Sequence, residues 1–272
     1  MRAETETLLL EKYQAAREDG TLEKYRGKKG NILVVSPHPD DDVLGAGGTM
    51  AAAAARGVGV FSACVTDGHG SPRKEAISDD EMAGRREKEA LAALRAVGAA
   101  GVFFLRKRSA ALEGEGGTQT TRELAGILAL LAPAEIYLPA PYERHATHQR
   151  CTRLTVEAVR ASGLMPGFFG YSLWGWFRGE KKRVVRDITP FIDKKLKAVR
   201  AHASQLAYKS YAEGIQGKNT CEAVFWDSHG VQRERFVETF IDMGALLEKR
   251  ELTLMEFVQK DMEDFFQAYL GK

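Results

Sequence analysis

The chain has 272 residues, of which 44% are hydrophobic and 28% charged, the balance of a soluble globular protein with room for one large α/β domain. Lys and Arg number 39 against 37 acidic residues, and a net charge of +2 lacks the clustered basic excess of a nucleic-acid binder. The densest basic run, Lys181-Lys182-Arg183 with Arg178 and Arg186 nearby, is short and reads as a solvated loop.

No apolar run approaches the ~18 residues of a membrane span, so no integral membrane segment is expected. The start, MRAETETLLLEKYQ, has no cleavable apolar core. Cys64, Cys151 and Cys221 lie far apart and form neither a disulfide framework nor a CxxC metal pair. The expected location is cytoplasmic. Cys64, inside an apolar run, reads as core.

Residues 1–18 predict a short amphipathic helix, closed by the Gly-Lys-Lys-Gly segment at 27–30. From Asn31 a unit repeats: strand 31–36, helix 43–56, strand 58–66, helix 79–97, strand 102–105, helix 120–132, strand 135–139 and helix 147–162. Apolar runs of strand length alternating with amphipathic helices predict βαβ units. Right-handed crossovers then give an open, mostly parallel, doubly wound (Rossmann-like) sheet with helices on both faces. After 163 the glycine–aromatic stretch GFFGYSLWGWFRG predicts irregular loops and one or two strands. A helix at 189–208 follows. The last helix, 251–270, carries Leu252, Leu254, Met255, Phe257, Val258, Phe265 and Phe266, either packed on the domain or offered to a homo-oligomer. The chain is therefore divided into an extension at 1–29, a domain at 30–250 and a terminal helix at 251–272.

Open parallel sheets bind ligands beyond the carboxyl ends of their strands. Those ends read Pro37-His38-Pro39-Asp40-Asp41-Asp42, Asp67-Gly68-His69-Gly70 and Pro141-Tyr142-Glu143-Arg144-His145-Ala146-Thr147-His148, and they hold four of the six histidines. His38 and Asp41 are three residues apart across a tight turn. His145 and His148 have the same spacing at a helix start and share a face. A catalytic zinc wants three such ligands and an open position, so any three of these four could serve. Asp40, between two of them, places a carboxylate where general-base hydrolysis needs one. Three consecutive aspartates also suit the cap of the helix that follows, Asp42 in particular.

The stretch VVSPHPDDDVLGAGGTM resembles the leading signature of the LmbE-like (PIG-L-like) deacetylases, an apolar strand followed by [A/P]-H-P-D-D-E and a glycine-rich helix start. TDGHGS, RREKEALAALRAVG with Arg86 and Glu89, and DITPFIDKKLKAVRAHASQ match later signatures in order, so the resemblance covers about residues 30–206. It implies a zinc-dependent hydrolase that removes the N-acetyl group from an N-acetylglucosamine-type sugar conjugate, a small-molecule partner. His38, Asp41 and His148 would be the metal ligands and Asp40 the general base. His145 would act as oxyanion stabiliser or general acid. Two departures stand out: the family's H-P-D-H is here His145-Ala146-Thr147-His148, which removes the carboxylate that orients the first histidine, and Asp42 replaces Glu.

His/Asp/His ligation suits zinc and iron(II) alike. Arg86, His69 and Tyr142 are candidate substrate contacts, and Trp174, Trp176 and Phe177 could stack on a sugar or pack internally. His202 reads as structural. The rival functions are an amidase for a larger acyl group or a thiol conjugate, and a sugar-binding relative without catalysis. A nucleotide-dependent oxidoreductase, suggested by Gly45-Ala46-Gly47-Gly48, lacks the G-x-G-x-x-G spacing.

Overall fold

The continuous apolar runs become parallel strands: β1 (Ile32–Ser36), β2 (Val60–Thr66), β3 (Gly101–Lys107), β4 (Glu135–Pro139) and β5 (Gly167–Tyr171). Two more strands, β6 (Arg183–Asp187) and β7 (Val237–Asp242), extend the sheet with antiparallel ladders, so its order is β3-β2-β1-β4-β5-β7-β6. This computed structural model describes residues 30–73, 75–174, 183–225 and 234–270. The helix expected at 1–18, Trp176, Phe177, Arg178 and the pair Lys181-Lys182 lie outside the described residues.

The helices are α1 (Asp41–Ala55), α2 (Asp79–Val97), α3 (Gly114–Leu131), α4 (Ala146–Ser162), α5 (Ile192–Ala201), α6 (Ala203–Leu206), α7 (Tyr211–Phe225), α8 (Ala245–Glu248) and α9 (Leu254–Leu270). Side chains alternate across a strand, and the sheet accordingly buries two cores. Leu33, Val35, Phe61 and Phe103 pack with Leu124 and Ile127 of α3 and Leu154 and Val159 of α4. Ile32, Val34, Val60 and Tyr137 pack with Met50 of α1, Leu94 of α2 and Val199 of α5. Helices on both faces of a mostly parallel sheet are the doubly wound architecture that the sequence predicts. Cys64 is buried in the second core. No helix among the described residues is long and apolar enough to cross a membrane.

The pattern after residue 163 hides more order than it shows. The helix expected over 189–208 is broken at His202, whose φ/ψ of −83°/59° leaves the helical region between α5 and α6. The sequence pattern predicts neither α7, where Gly214 and Gly217 weaken the helical signal, nor β7. In α9, Phe257 and Asp261 are buried, whereas Met255 and Phe266 are exposed.

The glycines of α1 serve packing. A Cβ on Gly45 would stand 2.6 Å from the ring of Tyr171, and one on Gly48 would stand 2.6 Å from Ile188. These glycines lie inside the helix and pack on side chains, and so form no G-x-G-x-x-G turn of a dinucleotide site. Glu238 of β7 completes the anchor. It accepts the N–H groups of Gly48 and Thr49, both at 2.8 Å, and the Lys195 ammonium at 2.6 Å. Gly45→Ala, which forces this helix off the fully buried Tyr171, should destabilise the protein by roughly 1–3 kcal/mol, read as a lower urea midpoint with an unchanged slope. An unchanged midpoint would show that the α1–Tyr171 contact is slack.

Candidate active site

The connections leaving β1 and β4 run to opposite sides, toward β2 and β5, so the crevice between their carboxyl ends is the topological switch point. The turn after β1 is held rigidly. The Ser36 hydroxyl donates to the His38 carbonyl at 2.6 Å, and Thr66 at the end of β2 donates its N–H and hydroxyl to the Pro37 carbonyl at 2.9 and 2.7 Å. Asp41 opens the first turn of α1, where the helix dipole favours its negative charge. His148 sits in the first turn of α4.

These turns bring His38, Asp41 and His148 together, with one donor atom from each within 4.8 Å of the others. His38 Nδ1 and His148 Nε2 stand 3.0 and 3.1 Å from Asp41 Oδ2. A tetrahedral ion spaces its donors about 3.3–3.6 Å apart, close to what is present. His148 Nε2 is buried and, beyond this ion-pair contact with Asp41, has no hydrogen bond, although buried polar atoms ordinarily have one. The His148 Nδ1 on the other side of the ring is 2.9 Å from Glu143 Oε2, the carboxylate–imidazole pairing that fixes a ligand histidine. The donor set therefore fits a divalent metal. Burial opposes charge on His148, but Asp41 and Glu143 overcome it and push its pKa up to about 10. Burial likewise opposes charge on Asp41, yet His148 and His38 hold its carboxyl well below the usual range.

Asp40 lies beside this cluster and outside it. Its Oδ1 is 2.8 Å from Arg86 Nη2, and Arg86 Nη1 donates to Ser71 Oγ at 2.6 Å. Gly68 is a glycine for two reasons: its φ is +67°, and a Cβ there would lie 2.5 Å from Arg86. Asp42 is not the helix cap. It accepts from Ser62 Oγ of β2 at 2.6 Å, and burial raises its pKa to about 6.

His145, at the N-cap of α4, is exposed, with its ring centroid 4.9 Å from that of His38 and 5.1 Å from that of His148. Partial desolvation of the ring, followed by the neighbouring His38 and His148, lowers its pKa. No carboxylate among the described residues is hydrogen-bonded to His145: Glu143 serves His148, Asp67 serves His69 at 2.8 Å, and Thr147 is simply buried.

A cleft of about 660 Å³ opens over the cluster, lined among others by His38, Asp40, Asp41, Arg86, His69 and His145. Of the residues expected to touch substrate, Tyr142 is absent from this lining; its hydroxyl donates to Asp261 of α9. His202 is buried with both ring nitrogens unpartnered, and burial pushes its pKa down to about 4. The far side of the cleft comes from residues that sequence reasoning passes over, Gln205, Tyr208, Lys209 and Tyr211. Gln205 closes the DITPFIDKKLKAVRAHASQ stretch, whose Ser204 donates its hydroxyl and N–H to Glu89 of the RREKEALAALRAVG stretch at 2.6 and 2.8 Å.

Residues 33–159 match the family model described as "PIG-L: GlcNAc-PI de-N-acetylase". The chain is 28% identical over 187 residues to the diacetylchitobiose deacetylase of Thermococcus kodakarensis, covering 64% of this chain and 69% of that protein. It is 27% identical to the protein described as "Probable N-acetyl-alpha-D-glucosaminyl L-malate deacetylase 2" of Bacillus anthracis, covering 76% and 93%. The solved structure of N,N'-diacetylchitobiose deacetylase from Pyrococcus horikoshii superposes with a TM-score of 0.65 at 25% identity, covering 89% of this chain and 92% of that one. These relatives are named as deacetylases, hydrolases of amide bonds. Family match, fold and the order of the motifs agree, and the similarity to the PIG-L (LmbE-like) deacetylases is carried by residues 33–159.

Proposed function

We propose that this protein is a metal-dependent N-deacetylase that hydrolyses the acetamide of an N-acetylglucosamine-type sugar conjugate. The observation that carries the reading is the His38–Asp41–His148 donor cluster with Asp40 beside it at the floor of the cleft. A zinc or iron(II) ion held by those three residues would supply Lewis-acid polarisation of the amide carbonyl and lower the pKa of water.

The residues of the chain supply the rest. Arg86 takes Oδ1 of Asp40 and leaves Oδ2 to accept the proton of the attacking water. The water oxygen bonds to the acetyl carbon. His145, whose lowered pKa keeps it neutral at neutral pH, donates its N–H to the developing oxyanion. The proton on Asp40 passes to the amine nitrogen as the C–N bond breaks, so the products are acetate and the free amino sugar. The small 2-acetamido group is the part that must reach the floor, and the cleft has room for the sugar above it.

Acetate release from a panel of N-acetylglucosamine conjugates tests this, with zinc-loaded, iron(II)-loaded and chelated protein side by side. Release that requires metal is the expected outcome, and the faster metal is the better candidate for the native one. Release that survives complete metal removal would overturn the mechanism. Sugar binding without any acetate would identify a non-catalytic relative, consistent with a His145 that lacks its carboxylate.

A further inference from the structure

The cationic side chains lining the cleft differ in how their charge is used. Arg86 is neutralised by Asp40 at 2.8 Å. Arg108 is held by Asp67 at 3.1 Å and Asp80 at 2.7 Å. Lys209 has no carboxylate within ion-pair distance among the described residues. Its Nζ lies instead 4.4 Å from the ring centroid of Trp174 and 5.9 Å from that of Tyr211. Aromatic faces orient an ammonium without cancelling its charge, so among the described residues nothing neutralises Lys209.

Its seat is well defined. The Trp174 and Tyr211 rings meet edge to face at 6.2 Å, and all three residues line the cleft. The backbone N–H of Trp174 donates to Glu143, the carboxylate that holds His148, which ties this wall to the candidate metal cluster. Lys209 lies between α6 and α7, its N–H donating to the Gln205 carbonyl at 3.3 Å and its carbonyl accepting from Tyr211 at 2.9 Å.

We propose that Lys209, seated on Trp174 and Tyr211, recognises an anionic substituent (phosphate or carboxylate) on the substrate, and that the protein acts on anionic N-acetylated sugars in preference to neutral ones. The inference rests on the deacetylase reading above and narrows its substrate class. The anion would lie at the lip of the cleft while the acetamide reaches the floor. An ammonium on a partly exposed wall gives selectivity mainly through binding, and its effect weakens with salt.

The test uses zinc-loaded full-length protein and three substrates: N-acetylglucosamine 1-phosphate, N-acetylglucosaminyl malate and methyl N-acetylglucosaminide. For the parent, kcat/KM on the better anionic sugar should exceed that on the methyl glycoside by about tenfold, carried by KM, as one charge-assisted contact allows. Lys209→Gln should erase this preference and leave the methyl glycoside within about twofold; Lys209→Arg should retain most of it. Whichever of the phosphate and malyl sugars shows the larger Lys209-dependent loss identifies the anion. Calorimetric binding of glucosamine 1-phosphate against methyl glucosaminide reads the same contact without turnover. If no sugar is deacetylated but the sugar phosphate binds in a Lys209-dependent way, the deacetylase reading fails and Lys209's role stands. Absence of anion preference in the parent, or an equal loss on charged and neutral sugars in Lys209→Gln, would overturn it.

Discussion

In the Asp40→Asn protein, acetate release is expected to fall by about 10²–10⁴-fold with metal content unchanged, the range attributed to a positioned general base. Asn keeps the shape of the side chain and can still meet Arg86, but it cannot take up the proton of the attacking water. Asp40 contributes no donor to the His38–Asp41–His148 cluster, so the ion should stay. The comparison that isolates the role is Asp41→Asn, one residue on, which removes a cluster carboxylate and should lose metal along with activity. Single-turnover rates and metal analysis on both proteins separate the two. Asp40→Asn activity within threefold of the parent would remove Asp40 from the mechanism. A parallel loss of metal would recast it as part of the ligand shell.

Glu143→Gln is expected to weaken metal binding by about 10–100-fold, the usual consequence of removing the partner of a ligand histidine. Glu143 is completely buried, accepts the Leu173 N–H at 2.6 Å, and stands 2.9 Å from His148 Nδ1. The interaction also sets a pH dependence. In the metal-free protein the two flanking carboxylates raise the His148 pKa to about 10, so at neutral pH its imidazole is protonated on both nitrogens. A metal ion must displace the Nε2 proton. Apparent affinity in the parent should therefore rise with pH, by about tenfold per unit from pH 7 toward the His148 pKa, with a proton released on binding. Loss of the Glu143 charge lowers that pKa, so the variant's affinity should level off at a lower pH. Competition with a chromophoric chelator at pH 7, 8 and 9 measures both effects. Equal affinities for the two proteins across that range would show that Glu143 merely supports the loop at 173–174.

The local part of this design is legible in the amino-acid sequence alone. An apolar run of strand length, a proline-bracketed turn and a glycine-rich helix start place His38, Asp40 and Asp41 within four residues, and their geometry follows from short-range backbone chemistry. His148 is readable for the same reason, at the first turn after a strand. The doubly wound sheet follows from the alternation of strand and helix periods, which is also local.

What the sequence does not settle depends on groups far apart in the chain. Arg86 meets Asp40 across 46 positions, Ser204 meets Glu89 across 115, and Tyr142, which reads as a substrate contact, is held by Asp261 across 119. Spacing also favours pairing Glu143 with His145, two residues away; the turn instead directs its carboxylate to His148, five residues on. β7 gives a weak periodic signal because its place is set by long-range partners, pairing with β5 and β6 while Glu238 binds α1 and Lys195. Lys209 reads as one more surface lysine until folding brings Trp174 and Tyr211 beneath it. Residue identity and local period determined the alternating strands and helices up to residue 162 and singled out His38, Asp41 and His148 as candidate donors. Partner choice among buried charges was decided only by tertiary packing, because a charge removed from water takes whichever counter-charge the fold brings within reach.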